Sequence, residues 1–188
     1  MSTQDNTGRR PAGTAPILII DLQTGMFDGI AEPPIHGAAD LVARVQAILA
    51  WARRAGRRVG FVRHDAPAGD SLAPGAPGWP VWPALGQAAD EPTFSKSVGN
   101  AFSNPALAKW VAGLGADEVV LLGAQTDQCV AATVAGATKA GLRVTVVSDA
   151  HGTWPSGGET AEEIIARYNA DFAAAGVNLV ATKALIGG

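Results

Sequence analysis

Residues 117–141 read DEVVLLGAQTDQCVAATVAGATKAG. The apolar run after the two acids is too short for a helix and carries two β-branched valines, which makes it a buried strand. Gly123 closes that run. Beyond the turn AQTDQ, thirteen residues dominated by alanine and ending at Gly141 have the composition and the glycine stop of a helix. The order is strand, turn, helix, and the chain repeats it on both sides. PILIID (16–21) is a second buried strand, followed by Leu41, Val45, Ile48, Leu49 and Ala52 at helical spacing, with Gly56 as the stop. RRVGFVRHD (57–65), LRVTVVSD (142–149) and VNLVAT (177–182) add three more strands. SNPALAKWVAGLG, with Asn104 as cap and Pro105 at the first helical position, and ETAEEIIARYNADFAAAG add two more helices. Short buried strands alternating with helices predict an α/β domain built on an open parallel sheet.

The 188 residues, 47% of them apolar, are enough for one sizeable core and not for two, so residues 16–188 are expected to form a single domain. Residues 1–15 are polar and small and are expected to be a disordered tail. From Ala66 to Pro92 no periodicity exists, but six prolines and the stretch GWPVWP argue for an ordered excursion. The net charge of −3 and the scattered basic residues exclude a phosphate-binding stripe, hence a nucleic-acid partner. No apolar stretch is long enough to span a membrane and no signal-peptide core stands at the start, which points to a cytoplasmic protein. The single cysteine cannot form an internal disulfide and is free for chemistry.

In open parallel sheets ligands bind beyond the carboxyl ends of the strands. Asp21 ends one strand, Cys129 follows another, and Ser148, Asp149 and His151 follow a third. If Thr126 caps the helix, Cys129 lies in its first turn, where aligned peptide dipoles favour a thiolate. A buried inert cysteine is the competing reading. Asp21 is either a turn residue or a carboxylate kept in an apolar setting for use. Lys96, between Phe94 and Phe102, is either a snorkelling loop lysine or a third polar member of the same site.

The segments IIDLQ (19–23), FSKSVGNAF (94–102) and GAQTDQCVAATVAGA (123–137) together resemble the cysteine hydrolases of the isochorismatase-like superfamily, the nicotinamidases, N-carbamoylsarcosine amidases and streptothricin hydrolases among them. The likeness runs from Ile17 to Thr182. It implies a three-layer α/β/α sandwich, Rossmann-like, whose parallel sheet has five to six strands. It also implies a catalytic triad in which Asp21 is general base and acid, Lys96 the orienting cation and Cys129 the nucleophile. A cis peptide at Ala124–Gln125 and an oxyanion hole from the backbone N–H groups of Gln125 and Cys129 belong to the same resemblance, as does a homodimer or homotetramer.

Because the cysteine is kept, hydrolysis of an amide, lactam or ureido C–N bond in a small molecule through a thioester is expected. The alternatives are an isochorismatase-type vinyl ether hydrolase, which needs no thiol, and a non-catalytic thiol redox sensor, for which no second cysteine is present to resolve a sulfenate. Substrate contacts are expected from Gln23, Phe27, Trp79, Gln128, His151 and Trp154. His64 is a further candidate for lining the pocket. His36, His64 and His151 are scattered and form no Asp-x-His triplet, so neither a metal nor another cofactor is expected.

Overall fold

In the computed structural model, which describes residues 11–187, six parallel strands form one sheet in the order β3-β2-β1-β4-β5-β6. The strands are β1 (Ile17–Ile20), β2 (Val59–His64), β3 (Thr93–Lys96), β4 (Glu118–Ala124), β5 (Arg143–Gly152) and β6 (Asn178–Val180). Five helices accompany them: α1 (Ala38–Arg54), α2 (Pro105–Gly113), α3 (Ala131–Lys139), α4 (Ala161–Ala174) and α5 (Thr182–Ile186). The three-layer α/β sandwich is therefore observed, with six strands.

Strand β1 lies at the centre, Ile17 pairing with Val59 on one side and Val120 on the other. All four of its residues are apolar and buried because both sheet faces are covered. Ile17 and Ile19 pack with Val45, Ile48 and Leu49 of α1 and Leu185 of α5. Leu18 and Ile20 point the other way, into Leu107 and Val111 of α2, Val134 of α3 and Phe172 of α4. Asn104 caps α2 by accepting from the Ala106 N–H, with Pro105 at the first helical position, and Gly56 takes φ +63° beyond α1. None of these helices is long and apolar enough to cross a membrane.

Two expectations are corrected. Residues 11–15, expected to lie within a disordered tail, are part of the fold. Residues 1–10 lie outside the described part, but Pro11 and Ala15 are buried, and the Ala12 N–H donates to the carboxylate of Glu118 at 3.0 Å. The second concerns Lys96: the sixth strand, β3, falls within the five to six expected, but Lys96 ends this edge strand, in register with His64 of β2, and is not on a loop.

The chain reverses direction across the sheet between β1 and β4, so the ends of these two strands open a crevice. Their approach there is close. A Cβ on Gly123, whose φ is +128°, would stand 2.1 Å from the Ile20 carbonyl oxygen. Gly123→Ala is expected to destabilise the fold by about 3 kcal/mol, through backbone strain and overpacking. Urea unfolding measures it, and a variant as stable as the wild type would contradict the close approach.

Candidate active site

Asp21, one residue past β1, has the only positive φ (+49°) of any non-glycine among the described residues. Aspartate is among the few side chains that tolerate this region. Its backbone N–H donates to Val62 O at 3.0 Å, tying it to β2. Lys96 reaches it from β3. The Lys96 ammonium donates to Asp21 Oδ2 at 2.6 Å and to Cys129 Sγ at 3.2 Å, and it stands 3.3 Å from His64 Nδ1. The Asp21 and Lys96 side chains are wholly buried. Asp21 Oδ1 is buried without a hydrogen-bond partner, which leaves one carboxylate oxygen open to receive a proton.

Cys129 is half-buried in a single π-type turn, Thr126–Val130, between β4 and α3. The Gln125 carbonyl closes the turn by accepting from the N–H groups of both Gln128 (3.1 Å) and Val130 (3.0 Å). The Ala124–Gln125 peptide bond is cis. Gln125, and not Thr126, takes the cap position, and Thr126 is buried with its hydroxyl 2.9 Å from His151 Nδ1. The expected Thr126 cap is thus corrected: the hydroxyl is used sideways, across the sheet.

The thiol pKa departs from expectation in the same way. Burial, reinforced by the Asp21 carboxylate, pushes Cys129 up to about 12, with Lys96 pulling against it. Burial also raises Asp21 above the ordinary carboxylate range, against the Lys96 charge. In the free protein the sulfur therefore holds its proton at neutral pH, and a preformed thiolate at a helix start is not what this geometry supplies. Iodoacetamide labelling of Cys129 is expected to keep accelerating as pH rises through the alkaline range towards 12, because only the deprotonated sulfur reacts. A plateau near neutrality would contradict the direction of the shift.

The cavity above these groups has a volume of about 570 Å³, and Asp21, His64, Gln125, Asp127, Gln128 and Cys129 line its polar side. Of the expected substrate contacts, Gln128 is there and exposed. The others are placed elsewhere, each with a physical reason. Gln23 is fully buried and clamps backbone: it accepts from the His64 N–H and donates to the carbonyls of His64 and Trp79. Phe27 is buried and stacks on Trp82 at 5.3 Å. The Trp79 indole N–H donates to Asp65, with the Arg63 guanidinium 3.4 Å from the ring centroid. Trp154 donates to the Pro33 carbonyl and packs against the core.

His151 sits on β5, which runs on to Gly152 through a register shift opposite Leu121 and Gly123. There it is buried, and burial lowers its pKa. Asn169 donates to Ser148 O, so its Oδ1 faces His151 Nε2 at 3.1 Å, and Nδ1 is left to accept from Thr126. His151 therefore braces the cysteine turn from behind. Asp149 leaves the rim too, accepting from the N–H and hydroxyl of Thr182 at the start of α5. His64, the further lining candidate, does line the cavity, beside the lysine, whereas one support went unread in the sequence: Thr153, whose hydroxyl donates to Asp127 at 2.6 Å.

Asp21, His64 and Cys129 offer ligand atoms within 4.8 Å of one another, which raises the question of a metal. The set does not fit one. The Lys96 ammonium already lies within hydrogen-bonding distance of all three, so a metal ion placed among them would meet a fixed positive charge.

Comparison with known proteins places the chain in a family. Residues 15–176 match the family model of the isochorismatase domain. The chain is similar to a streptothricin hydrolase from Streptomyces noursei, 31% identical over 138 residues, covering 73% of this chain and 49% of the relative. It is also similar to a maleamate amidohydrolase from Pseudomonas putida, 29% identical over 160 residues, covering 77% of this chain and 73% of that protein. This chain thus spans about half the length of the streptothricin hydrolase it matches. An isochorismatase crystal structure from Pseudomonas putida superposes with a TM-score of 0.82 at 27% identity, over 95% of this chain and 94% of the other. With the family model covering most of its length and a like fold observed, the chain belongs to the isochorismatase domain family.

Proposed function

We propose that the protein is a cysteine amidohydrolase that cleaves a C–N bond of a small amide through a thioester. One observation carries the reading: a single buried ammonium, Lys96, joins the Asp21 carboxylate and the Cys129 sulfur at the base of a cavity. The similarity to a streptothricin hydrolase and a maleamate amidohydrolase supports the amide class.

The raised thiol pKa shapes the mechanism. Because the sulfur is protonated at rest, Asp21 accepts the proton through Oδ1 as Sγ attacks the carbonyl carbon, and Lys96 offsets the charge that develops. The carbonyl oxygen becomes an oxyanion, for which the backbone N–H groups of Gln125 and Cys129 are the proposed donors. Collapse breaks the C–N bond while Asp21 returns its proton to the leaving nitrogen. Water then attacks the thioester and gives a proton to Asp21, the S–C bond breaks, and that proton returns to sulfur. No step draws on a cofactor. The raised thiol pKa counts against the redox-sensor alternative, since oxidation follows thiolate character. Vinyl ether cleavage would leave Cys129 without a task.

The test is intact-mass spectrometry during turnover of a panel of amides, lactams and ureido compounds. An acyl adduct on Cys129 is expected. Product release by protein whose Cys129 has been alkylated to completion would overturn the thioester route.

A further inference from the structure

An ammonium group has three N–H bonds and no lone pair, so each neighbour in hydrogen-bonding reach must accept. Lys96 has three such neighbours: Asp21 Oδ2 at 2.6 Å, Cys129 Sγ at 3.2 Å and His64 Nδ1 at 3.3 Å. All three protons are taken. His64 Nδ1 is therefore the nitrogen with the lone pair, and the ring carries its proton on Nε2. The residue is held in this attitude from its own backbone, where Gln23 accepts from the His64 N–H at 2.8 Å and donates to its carbonyl at 3.0 Å. Gln23 is itself anchored by donating to Trp79 O at 2.8 Å. The imidazole is half-buried and lines the cavity, and no described residue hydrogen-bonds its Nε2.

We infer that His64 is a specificity-determining residue of this site: its Nε2–H donates to an uncharged acceptor, a ketone, ether or ring nitrogen, that the substrate carries beside its scissile amide. The inference rests on the amidohydrolase reading for the word substrate, but its geometry does not. The acceptor is uncharged because a carboxylate would find no cation to meet it. Among the described residues lining the cavity, none is an arginine or lysine, Asp21 and Asp127 contribute negative charge, and the N–H bonds of Lys96 are all engaged. A site built to hydrogen-bond one substrate group discriminates strongly against an analogue lacking it, since its own donor is then left unpaired. Nδ1 gives the same ring a hold on the ammonium that positions base and nucleophile, so recognition and chemistry share one side chain.

Two measurements test this. In Cys129→Ser protein labelled with 15N-histidine, the ring nitrogen shifts of His64 report its tautomer, and butanamide, acetoacetamide and malonamate serve as probes with no second acceptor, a neutral one and an anionic one. The Nε2–H tautomer is expected, with the Nε2 resonance moving for acetoacetamide and not for the other two. The Nδ1–H tautomer, or an Nε2 signal indifferent to acetoacetamide or moved most by malonamate, would overturn the inference. This readout needs no turnover, so a wild type that hydrolyses no amide refutes the hydrolase reading and leaves the His64 result standing by itself. The second measurement is kinetic. His64→Asn keeps an acceptor near the Nδ1 position and loses the cavity donor, whereas His64→Gln keeps a donor near Nε2 and loses the acceptor. Loss of one hydrogen bond to substrate should raise KM for acetoacetamide about tenfold in His64→Asn with kcat little changed. His64→Gln should instead lower kcat with KM nearly unchanged. Equal losses of kcat in both variants with KM unmoved would assign His64 to positioning alone.

Discussion

Cys129→Ala is expected to abolish turnover and to leave the fold in place. The two effects differ in size because they act at different levels. Losing the nucleophile removes the covalent route altogether, and knocking out such a residue typically costs on the order of a millionfold in kcat. Losing the sulfur from the structure costs little. Cys129 is half-buried at the edge of the core on the α2–α3 side, and truncating so small a side chain there should cost about 1 kcal/mol. One polar contact is lost with it, the Lys96–sulfur bond, but Asp21 and His64 still hold the ammonium. Circular dichroism and thermal melting establish the fold, and assay on any amide the wild type turns over establishes the rest. A folded variant with near-normal activity would remove the thiol from the mechanism.

The second large effect is expected at Lys96. Replacing it by methionine preserves most of the volume and removes the charge. Both partners of the Lys96–Asp21 pair are fully buried, so the change strands a carboxylate that already lacks a partner at Oδ1. Breaking a buried pair from one side typically costs about 3–5 kcal/mol, because the remaining charge has lost its only compensation. The protein can relieve part of that cost by protonating Asp21. That is the catalytic cost: burial already raises the Asp21 pKa, Lys96 is the leading influence that lowers it, and without the lysine the carboxyl is pushed further towards its protonated form. A protonated Asp21 cannot accept the thiol proton, so Lys96→Met should be both less stable and inactive. The sign can be checked by pH. Stability lost through a stranded Asp21 carboxylate should be recovered on acidification, so the Tm gap between variant and wild type should narrow as pH falls. A gap that is constant with pH would mean that packing, not charge, carries the defect.

How much of this was legible beforehand follows from the range of the forces concerned. The strand–turn–helix order of residues 117–141 is set by local pattern and glycine stops, and it reappears in β4 and α3. Buried strands such as β1 betray themselves because both faces must be apolar. The three residues Asp21, Lys96 and Cys129 stand out because a motif and an apolar setting mark them, although 75 residues separate the first two. Strand β3 escaped notice because four residues at a sheet edge, one exposed and one half-exposed, have no periodicity to read.

Orientation was equally hidden. Gln23 and Gln128 both sit beside a candidate catalytic residue in the sequence, yet one is spent inside the protein and the other faces the cavity. His151 looked like a rim residue until the register shift carried β5 onward and buried it against Thr126. The pKa of Cys129 could not be assigned from its place near a helix start, because desolvation and the Asp21 charge, which push it up, depend on what packs around the sulfur. Sequence by itself determined the order of the elements, the apolar faces and the residue types able to do chemistry, since these depend on neighbours a few positions away. Which nitrogen of His64 holds a proton, which way Gln23 turns and whether the thiol is charged were decided only by the tertiary structure, because each depends on groups tens of residues away that the parallel sheet brings within 3 to 4 Å.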